Sequence, residues 1–141
     1  MPSEFLETAS KNVDNSKQTK EVTSTKENEI ISTLKVENEE ERNAKITELQ
    51  TILTKKDATS EEKNNAYEEL KTINILKGKE EEISTKIKDE LKLENFVKIK
   101  DDQVRVVVIK ENQDAKLATD IMNLVQSNFD SKMYISIKFQ K

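Results

Sequence analysis

Two runs of carboxylates, Glu39–Glu41 and Glu80–Glu82, are the densest chemical groups in this sequence. Adjacent acids point first to cation binding, calcium above all. Calcium, however, needs oxygen ligands that converge from a loop at set positions, with a glycine at the sharp bend. Both runs fall in segments of helical spacing, where consecutive side chains point in different directions. They are read as solvated helix faces, and no metal site is assigned. The chain has no His and no Cys. That removes most nucleophile–base pairs and the usual zinc ligand sets. A single glycine, Gly78, cannot form a glycine-rich phosphate loop. No catalytic residue and no cofactor is assigned, and the expectation is a protein that is not an enzyme.

The second pattern is cationic. Lys98, Lys100, Arg105 and Lys138 alternate with apolar residues near the C-terminus and could meet phosphate. Alternating basic residues on a solvated strand face are ordinary, so this weighs little. The net charge is −4, divided as −6 over residues 1–95 and +2 over residues 96–141. Neither part has the concentrated basic surface of a nucleic-acid binder.

Those side chains must be positioned by a small number of elements. Of 141 residues, 33% are hydrophobic and 37% charged, too polar for packed core throughout. Residues 1–28 have scattered apolar residues without a period and are expected to form a disordered spacer. From about Ile30 to Lys55 the spacing is helical, with Ile46, Leu49, Ile52 and Leu53 on one stripe. Thr59 or Ser60, followed by Glu61 and Glu62, makes a good helix N-cap. The second helix carries Ala66, Tyr67, Leu70 and Ile73, then Ile83, Ile87 and Leu91, with Gly78 between the stripes. One glycine costs about 1 kcal/mol, too little to break it. Tyr67 is read as core, its hydroxyl hydrogen-bonded.

Then come "NFVKIK", the turn "DDQ" and "VRVVVIK", which read as a β-hairpin. A helix follows over 114–129, with Ala118, Ile121, Met122, Val125 and Phe129 on one face, and "MYISIKF" closes as a third strand. The fold core is thus helix, strand, strand, helix, strand: an α+β two-layer sandwich with both helices on one face of the sheet. A right-handed crossover makes the second and third strands parallel. The first strand is expected between them. Leu70, Ile121 and Val106 are expected to meet between helices and sheet.

The second strand is greasy on both faces. Val97 and Ile99 face the helices, and Val104, Val106 and Val108 join them if the turn has an even number of residues. The opposite face then carries Phe96, Lys98, Arg105, Val107, Ile109, Tyr134 and Lys138, beside Lys100 and Ser136. Either these apolar residues are incidental, or the N-terminal helix covers them, or they bind a protein. The protein-binding reading is preferred, because strand edges are expected there too. Val107 and Ile109 are accordingly expected to be exposed.

The stretches "TKKDATSEEKNNAYEELKTIN", "VKIKDDQVRVVVIK" and "DAKLATDIMNLVQSNF" resemble the stage III sporulation protein AH family of endospore-forming bacteria. The likeness runs from about Asn43 to Gln140, in order and with compatible gaps. No catalytic motif defines that family. The resemblance implies a domain similar to the ring-building domains of secretion and flagellar basal-body proteins. It implies a single-pass protein anchored in the mother-cell membrane around the forespore, with this region in the intermembrane space. Its implied partner is stage II sporulation protein Q, which has a LytM-like domain. The implied role is in an intercellular channel that supports the engulfed forespore, with a homo-oligomeric ring in the assembled channel. This sequence lacks the anchor: "MPSEFLETAS" has no basic start or apolar core, and no run approaches the roughly 20 apolar residues of a membrane span. The divisions expected are a spacer over 1–28, a helix over 29–58 and the ring-building-like domain over 59–141. The alternative from a different class is a KH-like nucleic-acid-binding module. Such modules clamp the backbone with a GXXG loop that this chain cannot form.

Overall fold

A computed structural model describes the backbone of residues 15–141 and the side chains from Glu29 onward. The elements are α1 (Asn15–Thr54), α2 (Ser60–Leu91), β1 (Asn95–Lys100), β2 (Gln103–Ile109), α3 (Ala115–Gln126) and β3 (Tyr134–Gln140). The expected spacer lies outside the described residues as far as residue 14. From Asn15 the backbone is helical, so α1 starts well before the expected Ile30 and crosses the expected division at residue 28. Lys, Glu and Gln are good helix formers even where no apolar stripe marks the helix.

Thr59 caps α2 through a reciprocal box. Its hydroxyl accepts from the Glu62 N–H at 3.0 Å, and the Glu62 carboxylate accepts from the Thr59 N–H at 2.8 Å. Such caps are worth about 0.5–2 kcal/mol. α2 runs unbroken through Gly78. Lys92, in the left-handed region at φ 59°, ends it. α3 begins at Asp114, whose carboxylate accepts from the N–H groups of Lys116 and Leu117.

β1 and β2 form an antiparallel hairpin with a two-residue turn, Asp101–Asp102. Asp101 adopts φ 55°, which a short polar side chain tolerates. The even turn keeps Val97, Ile99, Val104, Val106 and Val108 on one face. There they pack with Ile83 and Ile87 of α2 and with Ile121 and Val125 of α3. Leu117, Leu124 and Phe129 close the same layer. Met122, expected on it, is exposed.

The sheet order is β1-β2-β3, with β2 and β3 paired directly and parallel. This corrects the expectation that β1 lies between the other two. The most apolar strand takes the centre, where both of its edges are paired and both of its faces can be covered. Leu70 and Tyr67 also depart from expectation. They lie on the first half of α2, which extends beyond the sheet and packs along α1. Leu70 is half-buried and outside the core that holds Val106 and Ile121. Tyr67 is 54% exposed, with Lys71 5.7 Å from its ring centre.

α1 and α2 form an antiparallel hairpin around Leu49 and Ala66, tied across by Lys45–Glu69 and Lys77–Glu39. Towards the N-terminus α1 parts from α2 and crosses the opposite face of the sheet. There Ile31 and Leu34 pack on Phe96, Val107 and Ile109. The edge of β1 therefore sits in the mouth of the helical hairpin.

Candidate interaction surface

Register fixes the outer face as a grid. Reading across the three strands, one row is Lys100–Gln103–Tyr134, the next Lys98–Arg105–Ser136, and the third Phe96–Val107–Lys138. All seven residues singled out from the sequence belong to this face. They do not share one environment. Phe96 is 4% exposed and Val107 2% exposed, both under α1, and Ile109 is half-buried beside them. The expectation that Val107 and Ile109 lie exposed is corrected: the N-terminal helix covers Val107 together with Phe96 and packs against the half-buried Ile109. Burying side chains of this size contributes about 1.5–3 kcal/mol each, enough to hold a helix with few other anchors.

Arg105, Tyr134 and Lys138 remain exposed, Tyr134 at 62%, and Lys98 is half-buried. Lys98 donates to the Glu41 carboxylate at 2.8 Å. That contact and the charge of Lys98 hold the Glu41 carboxyl below its usual value. Lys100, Arg105, Tyr134 and Ser136 border an open depression of about 600 Å³ at the turn end of the sheet. Beyond them runs the second edge of β3, which no strand among the described residues pairs.

The clasp between α1 and the sheet was missed in the sequence. Glu80 belongs to an acidic run read as solvated, yet it is only 8% exposed. Its carboxylate accepts from Asn38 Nδ2 at 3.2 Å, Arg42 Nη2 at 2.7 Å and the Ile99 N–H at 2.8 Å. It thus joins α1, α2 and the free edge of β1. Burial pushes its carboxyl up, and this outweighs the Ile99 N–H, Arg42, Asn38 and Lys98, which all pull it down. The i, i+4 spacing of Asn38 and Arg42 was the one available signal, since it puts both on one helix face.

Among the described residues no group of acids is placed to hold a metal ion, and no helix is long and apolar enough to cross a membrane. A comparison with curated proteins gave no match. Among solved structures, a chain in the structure of the SpoIIQ–SpoIIIAH pore forming complex matches with a TM-score of 0.71 and 24% identity. The match covers 79% of this chain and 96% of that one. At that identity the likeness establishes the fold, including the three-stranded sheet with its helices. The family comparison carries further, because the SpoIIIAH-like protein family matches residues 3–137, nearly the whole length. With the cap, hairpin and helix segments that resemble it, this chain belongs to the SpoIIIAH-like protein family.

Proposed function

We propose that this chain is the mother-cell-side binding domain of a sporulation complex and that it engages a SpoIIQ-type protein of the forespore. Family membership supports the sporulation role, and the fold shared with a chain of the SpoIIQ–SpoIIIAH complex supports the partner. One structural observation carries the reading. The outer face of β2 and β3, with Arg105, Tyr134 and Lys138 exposed, lies next to a strand edge left unpaired among the described residues. A face and an edge together offer side-chain contacts and main-chain hydrogen bonds to one partner. The domain works by adhesion and assembly, without catalysis. It stands in the intermembrane space on an N-terminal membrane anchor, and contributes to an intercellular channel of secretion-like ring type and to engulfment.

The test is a pull-down and calorimetric titration of this chain with the LytM-like domain of the SpoIIQ counterpart from the same organism. Saturable binding at one-to-one stoichiometry is expected. Two folded proteins that fail to bind at physiological salt would overturn the reading.

A further inference from the structure

Lys98 and Arg105 stand directly opposite one another on neighbouring strands. Like charges in that position oppose sheet formation. The chain relieves Lys98 with Glu41, carried on the helix that crosses beside it. Arg105 has no such relief. Among the described residues no carboxylate pairs with Arg105 or Lys138. The chain is acidic overall and is rich in acids on α1 and α2, yet it leaves these cations uncompensated on one face. Tyr134, the next row along, offers an exposed ring.

We propose that the uncovered outer face of β2 and β3 is a docking shelf for an acidic protein segment lying alongside α1. Its carboxylates pair with Arg105 and Lys138, and an apolar side chain lies on the Tyr134 ring. Glu41 on Lys98 already shows the geometry, a carboxylate from a neighbouring element meeting this row, and the incoming segment repeats it one strand further on. The guanidinium fork of Arg105 suits a carboxylate in two-point contact. The cations are few and are interleaved with the neutral groups of Gln103 and Ser136, while Asp101 and Asp102 close one end of the shelf. A continuous phosphate backbone would meet those two acids, whereas a protein segment places its charges selectively. The inference deepens the proposed function and rests on it only for whose segment is bound.

The shelf is tested first without the partner. Backbone amide shifts of the whole chain are followed while decaglutamate is added at low salt. Shifts are expected at Gln103, Arg105, Tyr134 and Ser136. They should fade as sodium chloride is raised. The variant Arg105→Glu should weaken binding about tenfold or more, and Lys138→Glu should weaken it less. Lys116→Glu, on exposed α3, should change nothing. Absent shifts, shifts spread evenly over the surface, or an unaffected Arg105→Glu would overturn the shelf. Tighter binding of inorganic polyphosphate than of decaglutamate at these residues would overturn the choice of a protein segment. The SpoIIQ-type domain is then titrated against wild type and Arg105→Glu. Weaker binding of the variant supports the shelf as the partner's site. Normal binding of the variant overturns that placement, even where the peptide marks the shelf. Failure of wild type to bind that domain, with the peptide still bound, overturns the proposed function and leaves the shelf standing.

Discussion

The two faces of the sheet are built from the same strands and held to different standards. On the inner face, Val97, Val104, Val106 and Val108 meet two helices in a layer of apolar side chains. On the outer face, Val107 and Phe96 are nearly as buried, but under one helix anchored by Ile31 and Leu34. The next row holds two opposed cations. Burial alone therefore does not distinguish core from cover. What differs is the alternative open to each layer. If α1 lifts, the outer residues meet water while the inner layer stays intact. If the inner layer opens, no fold remains.

The largest expected effect tests that difference with neighbouring residues. Val106→Glu puts a carboxylate between sheet and helices, where the cost of an unpaired buried charge reaches several kcal/mol, comparable to the roughly 5–15 kcal/mol of a whole domain. Its cooperative melting transition should vanish. Val107→Glu faces only α1, so its cost is capped by the free energy that docks the helix. The domain should still melt cooperatively, with amide-exchange protection lost over residues 29–42 alone. Global unfolding of Val107→Glu would show that α1 is as much a part of the core as α3.

A second pair asks the same question with cavities. Ile87 is fully buried on α2 and Ile31 nearly so on α1. Ile87→Ala should cost about 2–5 kcal/mol, because a packed layer relaxes only partly around the hole. Ile31→Ala should cost less, about 2 kcal/mol or under, because the end of a helix can settle into the space. Chemical denaturation of both variants decides. Equal losses would remove the distinction between the two layers.

The strand parity that frames these experiments was legible in the sequence, since "VKIK" and "VRVVV" give the inner face directly once the turn is even. The strand order was equally present but went unread. A strand apolar on both faces belongs in the middle of the sheet, and β2 is that strand. The cover over Val107 was harder to see. Ile31 and Leu34 are two residues on an otherwise polar stretch, too few to make a stripe, and their contact lies more than sixty residues away. Glu80 was hidden for a related reason. Three consecutive glutamates look alike until the edge of β1 selects one of them. Of the candidate surface, the face was legible. The division into a covered half and a free half was not, because it depends on where α1 crosses.

Glu80 gives the comparison a pH axis. Its carboxyl is pushed up in the folded chain, which therefore holds the proton more tightly than the unfolded chain does. Its contribution is full below the ordinary glutamate value of about 4.3 and is lost as pH rises through the folded value. Wild type should thus lose stability over that window relative to Glu80→Gln, and thermal melts of the two across mildly acidic pH measure it. Glu41 runs the other way. Its carboxyl is held down, so its small contribution is present above the ordinary value and lost on acidification. Glu80→Ala is expected to be worse than Glu80→Gln at every pH, because Arg42 and the Ile99 N–H lose their acceptor. Parallel pH profiles for wild type and Glu80→Gln would mean that Glu80 titrates as it does in the unfolded chain.

The smallest expected effect has the opposite sign. Most substitutions considered so far weaken the fold or remove a contact. Arg105→Thr should strengthen it, by about 0.2–1 kcal/mol, because it removes the cation facing Lys98 and puts a good strand former in its place. The gain should shrink in high salt, where repulsion between the two cations is already screened. The same substitution on the inner face, Val106→Thr, should destabilise, since it buries a hydroxyl among apolar side chains. A stabilised Arg105→Thr that binds decaglutamate poorly would mean that this position is kept cationic at the expense of the fold, as binding sites commonly are. A destabilised Arg105→Thr would mean that Arg105 makes contacts which support the free chain, and the outer face would then be as structurally committed as the inner one.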